Sequence, residues 1–229
     1  MPVVRGFMLS LEMDCVSRGQ GIDPAKLKTN PRILQHTKEM IEEARSLLAP
    51  ALVYELYPVR EVGDDRLVLA NGCALHSGAM SCLLASTQEL VVLAFTIGPD
   101  LERKVSSYLA QGDSIRGFVL DGVGTAAVEE LAQQVHHLIE EIAARRGTKA
   151  SLSLYPGVGD WDVTEQKVLF DLVMAEEIGV QLTNSCSMVP LKSESVIIGL
   201  GDEVVTEAED SVCNHCPEGD TCPYRMPWH

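Results

Sequence analysis

Apolar residues recur along this chain in two rhythms, one of period two and one near 3.6, and the switches between them outline its elements. Asp23-Pro24 reads as a helix start, with proline at the first helical position. From Pro31 to Leu48 the apolar residues Ile33, Leu34, Met40, Ile41, Ala44, Leu47 and Leu48 keep helical spacing, and Pro50 is expected to end that helix. Ala51 to Val62 and Arg66 to Leu69 read as strands around a turn at Gly63-Asp64-Asp65. The small apolar stretch from Cys73 to Ser86 reads as a helix.

Glu89 to Thr96 is a β-branched and apolar strand, closed by Gly98-Pro99-Asp100, which opens a helix to about Ala110. After Gly112-Asp113 a long helix runs from about Ser114 to Arg146 and stops at Gly147. Its first half carries Gly117, Gly122, Gly124, Ala126 and Ala127, so another backbone is expected to approach it closely. Ser151 to Gly159 reads as a loop around Pro156-Gly157. A helix from Asp162 or Thr164 to Ile178 follows, then short strands at Val180 to Leu182 and Cys186 to Val189, and a clear strand from Ser195 to Leu200. Strands and helices mixed without regular βαβ alternation predict an α+β fold. The body spans residues 1–200, and residues 201–229 form a tail.

That tail changes the picture. It holds seven acids and one basic residue, Arg225, with Cys213, Cys216 and Cys222 among Pro217, Gly219 and Pro223. The whole chain carries a net charge of -15, which disfavours nucleic acid and anionic membranes because both need clustered Lys and Arg. No basic region leads into a long apolar stretch, and no apolar run reaches the ~20 residues of a membrane helix, so a cytoplasmic protein is expected. In a reducing compartment seven cysteines are not a disulfide framework. The spacing Cys213-x2-Cys216-x5-Cys222 predicts a metal or iron–sulfur site, since paired thiolates bite a soft metal and a loop this polar needs ordering energy. An iron–sulfur cluster and zinc both call for four ligands. Cys186 is the first candidate for the fourth; His215, His229, Cys73, Cys82 and an open position are the others. No repeat, Walker motif or dinucleotide fingerprint is present.

Two ordered segments carry a further signal. One is Tyr155-Pro156-Gly157-Val158-Gly159-Asp160-Trp161, continuing to Glu165-Gln166-Lys167. The other is Leu182-Thr183-Asn184-Ser185-Cys186-Ser187-Met188-Val189-Pro190, continuing to Ser193-Glu194-Ser195. Together, over about Ser151 to Leu200, they resemble the activation domain of cobalamin-dependent methionine synthase. The likeness extends more loosely to the helix Asp121–Glu141 and the turn Thr96-Ile97-Gly98. It implies a central twisted antiparallel sheet surrounded by helices, S-adenosylmethionine binding, and contact with a cobalamin-bearing partner whose inactive cob(II) state is reductively remethylated. Gly157 and Tyr155 fall on the family's ligand loop, and Glu129 stands where the family has an acid for the ligand's amino group. The loop departs from the family where it reads Arg-x-x-x-Gly-Tyr: Ser153 takes the arginine position and Val158 the tyrosine position.

Several residues admit a plain structural role beside a functional one. His136-His137 is a packed or solvated pair on an amphipathic helix or, less simply, a metal site, and Glu129 is a solvated helix glutamate or the acid for the ligand's amino group. Tyr155 and Trp161 either stack on a flat ligand or pack in the core. Lys192 meets a carboxylate or propionamide, or faces water. The leading expectation is a free-standing reductive activator of a corrinoid protein or methyltransferase. In it the tail cluster passes an electron to cob(II)alamin, with an unspecified electron donor upstream. The competing ones are an S-adenosylmethionine or corrinoid binding module with a structural zinc, and an interaction protein.

Overall fold

A computed structural model of the chain describes residues 1–19, 31–77, 83–215 and 221. The helix expected at Asp23-Pro24 and the residues Cys82, Cys216, Cys222 and His229 lie outside them. In chain order the strands are β1 (Val3–Arg5), β2 (Ala51–Val62), β3 (Arg66–Leu69), β4 (Ala74–His76), β5 (Glu89–Thr96), β6 (Lys149–Ala150), β7 (Gln181–Leu182), β8 (Met188–Val189) and β9 (Ser193–Gly201). The described α-helices are α1 (Met13–Gly19), α2 (Pro31–Ala44), α3 (Asp100–Ala110), α4 (Ser114–Arg145) and α5 (Gln166–Leu172).

Seven strands form one antiparallel sheet: six follow the order β4-β3-β2-β5-β9-β6, and β1 adds to β2 off that path. One edge of β2 pairs with β5 over Ala51 to Pro58; β1 pairs at its start and β3 at its end. The sheet curls into a half-barrel, and β7 and β8 make a separate hairpin. Both faces of the sheet are covered, which is why β5 is apolar at every position from Leu90 to Phe95. Period two sends Val91, Leu93 and Phe95 to the side packed by α1, α2, α3 and α4, and Leu90, Val92 and Ala94 to the other. That second side is closed by Leu152, Leu154, Trp161, Leu169 and Ile178 from the segments after α4.

The small residues of α4 do what their size predicts. A Cβ on Gly19, at the end of α1, would stand 2.6 Å from the Gly122 carbonyl oxygen and 3.1 Å from the Ala126 nitrogen. A Cβ on Gly124 would stand 2.7 Å from Leu101 of α3. Thus α1 and α3 reach the α4 backbone where ordinary side chains would hold them off. Asp113 caps α4, its carboxylate accepting from the Arg116 N–H.

Four expectations need correction. Cys73 to Ser86 does not form one helix: Ala74–His76 is a strand paired to β3, because Leu75 completes the buried row of Leu67 and Leu69. The helix from Pro31 ends at Ala44, and turns at Ser46 to Leu48 carry the chain to Pro50. The helix expected up to Ile178 breaks at Val173, which is extended at φ -127° and ψ 131°; Val163–Glu165 and Ala175–Ile178 are 3-10 turns on either side of α5. Cys186 is in a turn, at φ 62°, and not in the strand that follows.

Candidate functional site

The site grows from a change of character along β9. Its residues facing α4 are Glu194, Val196, Ile198 and Leu200, and Lys192 precedes them in the same alternation. Three of these five pack in the core; the first two are charged. Glu194 sits opposite Phe95 in the register, at a position where an aliphatic residue would continue the core. The sheet thus opens a polar notch between the start of β9 and the middle of α4.

The facing wall is α4. Asp121, Thr125 and Glu129 succeed one another at intervals of four and so share a face. Lys192 Nζ donates to Thr125 Oγ1 at 2.8 Å and pairs with Asp121 at 3.1 Å. Glu129 is half-buried; burial pushes its carboxyl up, while Arg18 and Lys192 pull it back down. Glu194 is only partly exposed to water, and burial, with Glu129 nearby, raises its carboxyl from 4.5 to about 7. Two carboxyls that discourage each other's ionisation invite a cation between them.

The floor of the notch comes from the segment after β6. Residues 151–155 run beside β9 as an edge: the Ser151 N–H donates to Gly199 O, and Leu154 exchanges both backbone bonds with Ile197. Alternation turns Leu152 and Leu154 to the far core and Ser153 and Tyr155 toward α4. Ser153 Oγ lies 2.9 Å from His136 Nδ1. Burial pushes the Tyr155 hydroxyl far up, with Glu194 and Glu207 adding to it. Glu207, beyond β9, stands 3.3 Å from His136 Nδ1. His136 is buried and its Nε2 has no hydrogen-bond partner, whereas His137 is exposed.

Glu129 and Tyr155 therefore stand on one notch, and Glu194 joins them. Gly157 occupies the turn of the loop: it is left-handed at φ 92°, its N–H donates to Trp161 O at 2.7 Å, and it packs against Val163. Trp161 is 3% exposed and belongs to the far core, the plain reading of the two. Ser153, in the loop's arginine position, points into α4, while Val158 is exposed.

The tail begins along the edge formed by residues 151–155. Val204 is buried, and the Leu152 N–H donates to Val205 O. Val212 and His215 line a shallow recess with Leu154, Val158, Asp160 and Trp161. Cys213 is a half-buried free thiol in the short turn Val212–His215. His215 Nε2 lies 2.6 Å from Asp210, whose carboxyl that contact holds down at about 2. Cys186 is buried as a free thiol between β7 and β8. Among the described residues no group of three or more His, Cys, Asp or Glu side chains is placed to hold a metal ion. No described helix is long and apolar enough to cross a membrane.

Sequence reasoning missed Glu194. A signal existed: charged, charged, apolar, apolar, apolar along Lys192, Glu194, Val196, Ile198 and Leu200 marks a core row that opens to water.

No protein-family model matches the chain, and no curated protein matches it. Thirteen chains of solved structures do. One is the crystal structure of the MetH reactivation domain bound to AdoHcy, with a TM-score of 0.65, 16% sequence identity, and coverage of 93% of this chain and 82% of that one. A likeness at that identity speaks to architecture: this chain has the fold of the MetH reactivation domain.

Proposed function

We propose that the chain is a reactivation protein for a cobalamin-binding partner, such as a corrinoid methyltransferase, and that it takes S-adenosylmethionine in the notch between α4 and β9. The observation that carries this is the likeness along 93% of the chain to a domain whose crystal structure holds AdoHcy. The donor set of the notch fits such a ligand. Glu129 and Glu194 offer carboxylates to an ammonium and a sulfonium, and Tyr155 supplies aromatic surface beside them. Gly157 fixes the turn that follows the Tyr155 wall. Glu129 thereby acts as an amine anchor, and Glu194 excludes an anionic competitor.

The tail belongs to the same reading. Cys213, Cys216 and Cys222, with Cys186 as fourth ligand, would hold an iron–sulfur cluster; the free, half-buried thiol of Cys213 suits a thiolate ligand. A cluster held there would supply a one-electron reductant for the partner's cobalt. The chain's own part is to bind, to orient and to keep the tail beside the Pro-Gly loop, where Val212 and His215 already line a shared recess.

Two measurements test it. Calorimetry of the full chain with S-adenosylmethionine should give saturable binding, and no heat at any temperature removes the notch from the proposal. Iron and sulfide analysis after anaerobic purification should find both, with broad absorbance near ~400 nm. Cys216→Ser should then release the metal. One equivalent of zinc and no sulfide would replace the redox role by a structural clip.

A further inference from the structure

The tail crosses the edge segment 151–155 from one side of it to the other. The Leu152 N–H donates to Val205 O at 3.0 Å and seats the crossing. On the α4 side Glu207 Oε1 stands 3.3 Å from His136 Nδ1. On the far side Val212 packs against the second core and lines the recess with Leu154 and Trp161. The two holds differ in chemistry. Val212 is held by apolar contact, whereas the Glu207 carboxylate is held by a buried imidazole. The same Nδ1 lies 2.9 Å from Ser153 Oγ, and Nε2, without a hydrogen-bond partner, faces Glu140 of α4 at 3.8 Å. Two carboxylates thus bracket one ring, and one of them belongs to the tail.

This polar hold borders the notch. His136 lies seven positions beyond Glu129, two turns or about 10 Å along the same face of α4. Ser153 and Tyr155 are the floor between them. The Tyr155 hydroxyl, pushed up chiefly by burial, feels both Glu194 of the notch and Glu207 of the tail. The turn that carries Glu207 also brings its own hydrogen bonds. The Thr206 N–H and hydroxyl donate to Glu209, and the Glu209 and Asp210 N–H groups donate to Thr206 O. It can therefore lift as a unit from the exposed bend Asp202-Glu203 without losing its internal bonds.

We propose that Glu207 is a latch: on His136 it straps the tail over residues 151–155 and over the Tyr155 end of the notch, and a ligand that fills the notch displaces it. The second half rests on the reading of the notch as an S-adenosylmethionine site; the first half does not. A carboxylate lying on the floor occupies room and polar partners that a ligand there would take. Latched tail and bound ligand then exclude each other, so one ratio of closed to open strap governs both. It sets the protection of the Leu152 amide and the factor by which the latch weakens the ligand. Because Cys213 follows Val212 directly, the latch also couples the notch to the cysteine end of the tail.

Hydrogen exchange of the Leu152 amide in the full chain, followed by NMR, reads the strap with no ligand present. Glu207→Gln should speed it roughly 5- to 10-fold, as loss of a half-exposed charge contact to a buried ring should. Glu207→Asp should recover part of the protection, and Glu140→Gln, on the same ring but outside the tail, should leave it unchanged. The Ile197 amide, which donates to Leu154 O beyond the reach of the tail, is the internal control. Saturating S-adenosylmethionine should speed Leu152 exchange in the unaltered protein by the same factor and add nothing in Glu207→Gln. Calorimetry should show the variant binding the ligand more tightly, again by that factor. Unchanged Leu152 exchange in Glu207→Gln overturns the latch, and so does equal acceleration of Ile197, which signals a loosened edge. Ligand that binds both proteins equally and leaves Leu152 exchange alone overturns the displacement. If neither protein binds S-adenosylmethionine, that reading of the notch fails, and the exchange rates alone decide the latch.

Discussion

Glu194 is a carboxylic acid in a row of aliphatic side chains, and its replacement by glutamine isolates what that position costs. In the folded chain, burial and the neighbouring Glu129 raise its carboxyl from 4.5 to about 7. The folded state therefore binds this proton more tightly than the unfolded state does. Its contribution to stability is fully present below about 4.5 and is lost as pH rises through about 7. One pKa unit corresponds to about 1.36 kcal/mol, so the complete effect is up to about 3 kcal/mol, and partial exposure to water lowers it toward about 2. Glutamine has the shape of the protonated acid and never ionises. Urea unfolding followed by the fluorescence of the buried Trp161, at several pH values from 5 to 8.5, should give Glu194→Gln a stability close to that of the unaltered protein at pH 5. By pH 8 the variant should be the more stable, by about 2 to 3 kcal/mol. Titrating groups that do not face Glu194 are common to both proteins and cancel in the difference, so the gap reports Glu194 together with its neighbour Glu129. Parallel curves, with a constant gap across that range, would refute a raised carboxyl at this position and with it the two-carboxyl character of the notch.

Other sites give independent checks. Gly19→Ala should lower stability by about 1 to 3 kcal/mol in thermal unfolding, since the new methyl meets the backbone at Gly122 and Ala126 and α1 must shift; Gly124→Ala, which meets the flexible end of Leu101, should cost less. Tyr57→Phe should cost about 1 kcal/mol in urea unfolding, because the Tyr57 hydroxyl donates to the Leu172 carbonyl at 2.5 Å just where α5 ends.

How far the sequence speaks depends on what sets each element. Ala51–Val62, Arg66–Leu69 and Glu89–Thr96 are bounded by turn residues next to β-branched runs, so local chemistry and the final structure agree at their ends. The long helix was legible too, and its glycines announced close packing without saying against what. The break at Val173 was hidden, because Leu172, Val173 and Met174 suit a helix as well as a turn; Tyr57, 115 positions earlier, takes the Leu172 carbonyl instead. Ala74–His76 was hidden for the converse reason: three residues are too few for a period, and their strand exists only because β3 is beside them. In the notch, Glu129 and Tyr155 were candidates from motif position, while Glu194 was readable only from its row.

The order of strands in the sheet also sets a timetable. Val91 of β5 pairs with Ile198 of β9, 107 positions further along the chain. At roughly 5 to 20 residues per second of synthesis, β5 emerges about 5 to 20 s before the neighbour that will cover one of its edges. During that interval Leu90 to Phe95, apolar at every position, has an unpaired backbone row and no charge of its own to deter another nascent chain. β9 follows β5 by that interval, so a chain cut short before Ser193 keeps its central edge open. The same strand that lines the notch with Glu194 is thus the one that closes the sheet against aggregation, which ties survival of the newborn chain to the segment that carries its candidate chemistry.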